Sequence, residues 1–359
     1  MGGLFMPYLE INSSHFFHNY HTILETISPN KPQKIAIVLK DNAYGHGILE
    51  IANLAKQANI QTAFVKNTQE ALSIAPLFNT ITILYPSQNA SDFKTALKTP
   101  NLYFCAPSLE SLQNYPQHTS IELKIDSGMH RNGISKTDLN TAFDLIKKRN
   151  LHLKGIFTHN GFGDDVNSAF YTQNMEFLAI KQEALKLCQH YGILRPRFHS
   201  LSSSGAMRAS QFDANLPQEL QDDLYRVGIA FYGYLCSDFQ NPPLKPIAAL
   251  FANKISTLKL KKGSNIGYSG MGILEQDSIV STYDIGYGDG FFRLRENMQL
   301  HSAEGFRILP RASMDCISIL TDAPKVCIFN DVRSLAKAFD TIPYEILAHL
   351  HAYIPRIVV

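Results

Sequence analysis

Strand-forming apolar segments recur along the chain at 34–39, 62–65, 81–85, 102–106, 121–125, 154–158, 197–201 and 224–227. Helical patterns lie between them, with apolar residues three and four apart. Eight strands alternating with helices predict an α/β fold, a (β/α)8 barrel of the TIM type, which occupies roughly 230 residues. A short strand at 8–11 and a helix entered at 12–14 come before it.

Beyond Leu235 the pattern changes. Pro242, Pro243 and Pro246 interrupt it, long helical periodicities become scarce, and 252–260, 278–284, 306–309 and 325–329 read as strands with Gly-containing turns. The expected organisation is a barrel domain over 1–235 and a mainly β domain over 236–359, with the strand at 8–11 free to join the β domain. No tandem repeat or low-complexity tract is readable.

Composition narrows the partner. The chain has 359 residues, 45% of them hydrophobic, and 33 basic against 31 acidic side chains with no dense basic run. That balance offers no electrostatic surface for nucleic acid or anionic lipid and points to a small molecule. The five cysteines are odd in number, widely spaced and without a C-x-x-C pair, so neither a disulfide framework nor a metal site is expected. A reducing cytoplasm fits that usage. Residues 1–6 are apolar but short and uncharged, and Glu10, Asn12, His15 and His18 follow, so no signal peptide or membrane span is read.

The sharpest chemical feature is Lys40-Asp41-Asn42-Ala43-Tyr44-Gly45-His46-Gly47, directly after the first barrel strand. A lysine ending a buried strand can be desolvated, which favours the neutral amine and Schiff-base chemistry. A solvated lysine before a glycine turn is the plainer alternative. Further candidates fall at the same ends of other strands, where active sites of this fold are built: Arg131 after strand five, His159 after strand six, Ser203 after strand seven, and Arg226, Gly228 and Ile229 at strand eight. The loops after strands seven and eight commonly bind phosphate in barrels. Taken singly, a serine run is also a helix N-cap and a strand-end arginine a surface ion pair.

With these motifs the sequence resembles the alanine racemase family. KDNAYGHG is similar to the family's cofactor-lysine motif, LKIDSGMHRNG to its lysine-to-arginine segment, YRVGIAFYG to its strand-eight motif and NIGYSG to the motif of its catalytic tyrosine. IGYGDG and RASMD match two further stretches of the β domain. The resemblance implies pyridoxal 5'-phosphate (PLP) on Lys40, its phosphate held by Tyr44, Ser203, Gly228 and Ile229, Arg226 at the pyridine nitrogen and His159 against the ring. It implies Tyr268 as the second base, supplied by the other subunit of a homodimer with composite sites. The substrate carboxylate would meet Arg131 and the Met314 N–H. Asp164, Tyr287, Arg293 and Arg311 would line an access channel, and Lys124 stands where some members carry a carbamylated lysine. The expected reaction is racemisation of L-alanine to D-alanine, a peptidoglycan precursor, because two bases on opposite faces are what inversion needs.

The chain also departs from the family pattern. Asp41 stands for the usual Ala, Ser202 for an asparagine, and Ala352 falls where a phosphate-binding tyrosine is usual, with Tyr353 one step later. Serine or a broader amino-acid set is therefore an alternative substrate. A PLP-dependent decarboxylase of the same scaffold is disfavoured by the lack of a triple-glycine phosphate loop. A non-catalytic PLP-binding protein is disfavoured by the presence of a β domain with its tyrosine.

Overall fold

The computed structural model describes residues 6–86, 90–239, 241–294 and 298–359. Residues 1–5, part of the stretch read for a leader, lie outside these. By backbone proximity the chain divides into two compact units. One holds the chain up to Phe16, Asp41–Ile51 and Lys245–Val359; the other holds Phe17–Lys40 and Ala52–Leu244.

In chain order, β1 (Tyr8–Ile11) belongs to the first unit, and the next eight strands form the core of the second: β2 (Ile35–Val38), β3 (Thr62–Val65), β4 (Thr80–Ile83), β5 (Leu102–Ala106), β6 (Ser120–Lys124), β7 (His152–Phe157), β8 (Arg197–His199) and β9 (Tyr225–Val227). They pair in the order β8-β7-β6-β5-β4-β3-β2-β9, and every pairing is parallel. Between the end strands, Phe198 O accepts the Asp223 N–H at 2.7 Å and Leu201 O accepts the Arg226 N–H at 3.0 Å. The result is a nearly closed (β/α)8 barrel, with β2 and β3 buried along their whole length.

Helices cover the barrel through apolar stripes. In Leu139–Lys148 the buried residues are Leu139, Ala142, Phe143 and Ile146, a spacing that keeps one face inward. Their ends follow local chemistry. Asn67 accepts the Glu70 N–H at the start of Thr68–Ile74, Ser108 and Ser111 form a capping box for Leu109–Asn114, and Gly192 closes Ala169–Tyr191 at φ 63°.

The first unit is a mainly β domain. Its strands after β1 are β10 (Ala248–Leu260), β11 (Asn265–Ile266), β12 (Gly272–Ile273), β13 (Ser278–Tyr283), β14 (Leu300–His301), β15 (Arg307–Leu309), β16 (Ile317–Ile319), β17 (Lys325–Phe329) and β18 (Arg356–Val358). The sheet runs β14-β15-β16-β13-β10-β1-β18, with β17 also on β10. β10 is long enough to serve three partners, β1 and β17 along its first half and β13 along its second. The sequence pattern did not show β11, β12, β14, β16, β18 or the short helices Arg333–Ala338 and Pro343–Ala348. Two- and three-residue strands without a longer apolar run around them, and helices of six residues, complete too few repeats to register. No helix among the described residues is long and apolar enough to cross a membrane.

Candidate active site

Lys40 follows the buried run Ile35–Leu39, and Leu39 extends the pairing by donating its N–H to Phe64 O at 2.8 Å. The chain then turns left-handed for four residues, Asp41 to Tyr44, with φ of 54°, 55°, 53° and 54°. Such backbone costs about 1–2 kcal/mol per residue, so it must be held. Gly45 N–H reaches Asp41 O and Gly47 N–H reaches Asn42 O, each at 3.0 Å, while Asn42 Oδ1 accepts the Ile48 N–H at 2.9 Å. Arg356 locks the end of the turn by donating to Gly45 O at 2.8 and 3.2 Å and to His351 O at 2.8 Å. Glycine is required at 45, because φ is +83° and a Cβ there would lie 1.9 Å from Leu347 O. Burial, then the Asp41 carboxylate, push the Tyr44 phenol far above its ordinary range.

At the C-terminal ends of the barrel strands, Arg226 is buried and heavily bonded. Nη1 donates to His199 O at 2.9 Å and to His199 Nδ1 at 2.6 Å; Nη2 donates to Thr158 O at 2.7 Å and Ser200 O at 3.1 Å. Its Nε–H makes no hydrogen bond among the described residues. Burial lowers this guanidinium to about 10, which still leaves it charged at neutral pH.

Cations converge on His159. Burial, then the charges of Arg226, Arg131, Lys40 and Lys124, lower its imidazole to about 3, so the ring is neutral. Lys124 is lowered to about 8, by burial first and by Arg131 and Arg226 in addition, and its ammonium donates to Asn132 Oδ1. The exposed Arg131 sits on a loop fixed by Asp126, whose Oδ1 accepts the N–H groups of Gly128 at 2.9 Å and His130 at 3.0 Å. A neutral ring surrounded by four cations is an environment for an anionic ligand.

Ser203 opens the twelve-residue helix Ser203–Ala214 and Gly228 precedes the short 3₁₀ helix Ile229–Tyr232. Ser203 Oγ accepts the Gly228 N–H at 3.0 Å, joining two helix N-termini whose first N–H groups lack intrahelical partners. The loops are set by buried Asp222, which accepts Ser200 N–H at 2.6 Å and Ser200 Oγ–H at 2.7 Å and is paired with Lys181. Asp164 accepts from Ser204 Oγ, which anchors it at the start of the same helix.

The β domain carries the remaining candidates. Tyr268 lies between β11 and β12, where Gly267 (φ 73°), Ser269 (φ 62°) and Gly270 (φ 63°) form a tight tip above the buried Ile266. Its side chain is 58% exposed. Met314, also exposed, is held through its carbonyl, which accepts the Gly288 N–H at 2.8 Å, while its own N–H has no partner among the described residues. A Cβ at Gly286 would lie 2.2 Å from that carbonyl, so glycine permits the approach. Tyr287 is 41% exposed, Arg293 is exposed and Arg311 half-buried. Tyr353 is 84% exposed, its ring 4.4 Å from that of His351.

Comparison with known proteins shows the family. The alanine racemase N-terminal domain family matches residues 11–236, and the alanine racemase C-terminal domain family matches 247–358. The chain belongs to the alanine racemase family. Alanine racemase from Nitratiruptor sp. is 37% identical over 353 residues, 98% of this chain and 99% of that protein. Alanine racemase from Campylobacter concisus is 37% identical over 352 residues, again 98% and 99% of the two chains. The solved alanine racemase of Clostridium difficile 630 superposes with a TM-score of 0.85 at 24% identity, covering 100% of this chain and 97% of that one, which shows a shared fold. The chain is thus an enzyme of an isomerase family.

Within this alanine racemase barrel, sequence reasoning passed over Glu122, Arg197 and His199. Their signal was present: Glu122 and Lys124 on β6, and Arg197 and His199 on β8, are charged or polar residues two apart, so each pair shares one face of a buried strand.

Proposed function

We propose that the chain interconverts L- and D-alanine with PLP, using Lys40 and Tyr268 of the partner subunit as bases on opposite faces of the substrate. The observation that carries this reading is Arg226, whose Nε–H is left over after four bonds fix the rest of the guanidinium. A donor of that kind suits the pyridine nitrogen. Because arginine keeps its proton, that nitrogen would stay unprotonated and the cofactor would be a restrained electron sink.

The residues fit the cofactor in other respects. Ser203 Oγ–H and the Ile229 N–H would hold a phosphate, with Gly228 shaping the turn through its N–H bond to Ser203 Oγ and Tyr44 as a further ligand, and the cations around His159 would compensate its charge. Lys40 would hold the cofactor and His159 would lie against its ring. Bound PLP supplies an electron-accepting ring for the pair left when the α-proton departs. Arg131 and the Met314 N–H orient the substrate carboxylate. Lys40 Nζ takes or returns the proton on one face, and Tyr268 Oη does so on the other. Asp164, Tyr287, Arg293 and Arg311 would line the approach.

Two composite sites of this kind require a C2 homodimer, and the exposure of Tyr268 and Met314 in the single chain suits groups that work against another subunit. The product would supply D-alanine for peptidoglycan in the cytoplasm, and the two domains would divide between 235 and 236. Purified protein with PLP, given a panel of L-amino acids, should yield D-alanine without carbon dioxide. Serine turnover above alanine would shift the substrate, and carbon dioxide release would replace racemisation by decarboxylation.

Lys124 is the proposed carbamate. Burial and neighbouring cations hold its amine near 8, so a fraction is neutral and nucleophilic toward carbon dioxide at physiological pH. The N–C bond would form with loss of one proton, and the resulting anion would face Arg131. A gain of one carbon dioxide in intact mass under bicarbonate, absent in Lys124→Arg, tests it; identical masses for both proteins would remove the assignment.

A further inference from the structure

We infer that Glu122 is a positioning residue that fixes the tautomer of His199 and, through it, the placement of Arg226. This rests on the reading of Arg226 as a cofactor ligand, which it deepens. Four side chains form a continuous line inside the barrel: Arg197 on β8, Glu122 on β6, His199 on β8 and Arg226 on β9. Arg197 Nε donates to Glu122 Oε1, and its Nη1 and Nη2 donate to the hydroxyls of Thr80 at 3.2 Å and Thr82 at 2.9 Å. The other carboxylate oxygen, Oε2, lies 3.3 Å from His199 Nε2; both atoms are buried and neither has a hydrogen-bond partner elsewhere or a fully formed one here, so each is the polar group placed to satisfy the other. His199 is stacked on Phe157 at 4.9 Å with Phe64 edge-on at 5.1 Å, so its ring has one plane available.

Donor and acceptor counting then settles the proton. A guanidinium has only donors, so the 2.6 Å contact from Arg226 Nη1 makes His199 Nδ1 an acceptor. The ring is neutral, lowered to about 4 by burial, with Arg226 and Arg197 adding to that against the pull of Glu122. The single ring proton is therefore on Nε2, and the carboxylate is what receives it. Glu122 is ionised: Arg197 and His199 outweigh the upward effect of burial and hold it well below the usual carboxylate range. Space is reserved for it as well. Glu122 pairs across the sheet with Gly155, and a Cβ there would lie 2.4 Å from Glu122 Oε1.

Replacing the carboxylate by an amide breaks this logic in a specific way. In Glu122→Gln, the single carbonyl oxygen is claimed by Arg197, which can only donate. The amide nitrogen then faces His199 Nε2 and turns it into an acceptor. The ring proton must move to Nδ1, where it opposes the Arg226 N–H donor to donor, and Arg226 is displaced. Removing Arg197 as well frees the amide to turn its oxygen toward His199, so Glu122→Gln with Arg197→Met should restore the original tautomer.

The test is a two-bond ¹⁵N–¹H correlation spectrum of histidine-labelled apoprotein, with His199 assigned by its loss in His199→Asn. The wild type should show the Nε2–H form, Glu122→Gln the Nδ1–H form, and the double variant Nε2–H again. PLP affinity measured by titration should fall about tenfold in Glu122→Gln, the usual effect of losing one charge-assisted hydrogen bond, and recover in the double variant. An Nδ1–H ring in the wild type overturns the inference without any variant, and so does an unchanged tautomer in Glu122→Gln. Should Glu122→Gln not fold, Arg197→Met replaces it and must keep the Nε2–H form. If the wild type binds no PLP while the tautomers behave as stated, the cofactor reading fails and the Glu122–His199 relationship stands.

Discussion

Ser203 Oγ accepts the backbone N–H of Gly228 at 3.0 Å, pinning the first turn of helix Ser203–Ala214 to the turn that follows β9. One hydroxyl thus organises both halves of the proposed phosphate cradle. Ser203→Ala should weaken PLP binding by about tenfold, since a hydrogen bond to a charged group and the brace to Gly228 are lost together. Ser203→Thr keeps the hydroxyl and should bind almost as the wild type does. Equal affinities for all three proteins in a fluorescence titration of the apoprotein would place the phosphate elsewhere.

Three buried imidazoles make the apoprotein acid-sensitive. His46 and His199 are each lowered to about 4 and His159 to about 3, all by burial first, whereas an unfolded histidine titrates near 6.5. Below pH 6.5 the unfolded chain takes up protons that the folded chain refuses. Stability is therefore full above 6.5 and is lost as pH falls toward 4, at roughly 1.4 kcal/mol per pH unit for each ring. Denaturant melts at pH 7 and 5.5 should differ by about 3–4 kcal/mol. A stability unchanged over that interval would mean that the rings are protonated in the fold.

Gly45 and Gly192 separate steric from conformational cost. Both have positive φ, +83° and +63°, but only Gly45 faces an obstacle, Leu347 O at 1.9 Å from an added Cβ. Gly45→Ala should destabilise by about 3 kcal/mol and Gly192→Ala by about 1 kcal/mol. Urea melts that rank them in reverse would show that the left-handed turn after Lys40 is not held as described.

Composite sites predict complementation. Lys40→Ala and Tyr268→Phe proteins should each be nearly inactive alone, and refolding them together should restore activity, because hybrid dimers contain one site with both native groups. Absence of restored activity in verified hybrids would put both bases on one chain.

Much of the barrel was legible because its strands are apolar runs separated by amphipathic helices, as in Ile35–Val38 and Leu139–Lys148. The pattern also placed Lys40, His159, Ser203 and Arg226 at strand ends. It did not reveal that Asp41 to Tyr44 would all be left-handed. That conformation is held by bonds inside the turn and by the distant Arg356, which no local propensity announces. Nor did it reveal the line from Arg197 to Arg226. Polar residues two apart in a strand show a shared face, but only pairing register brings β6, β8 and β9 together to make a bonded chain of them. The three-residue β16 and β18 escaped because three residues hold little more than one strand repeat and no longer apolar run marks them out, as 197–201 does β8.

In the proposed mechanism Lys40 and Tyr268 each serve one face of the substrate, and hydrogen exchange separates their roles. In heavy water, Tyr268→Phe should racemise alanine about 10²- to 10⁴-fold more slowly than the wild type, the usual contribution of a general base. It should nevertheless exchange the α-hydrogen of D-alanine through Lys40, while recovered L-alanine stays almost unlabelled. Equal label in both enantiomers would show that one base or water serves both faces, and would contradict the account.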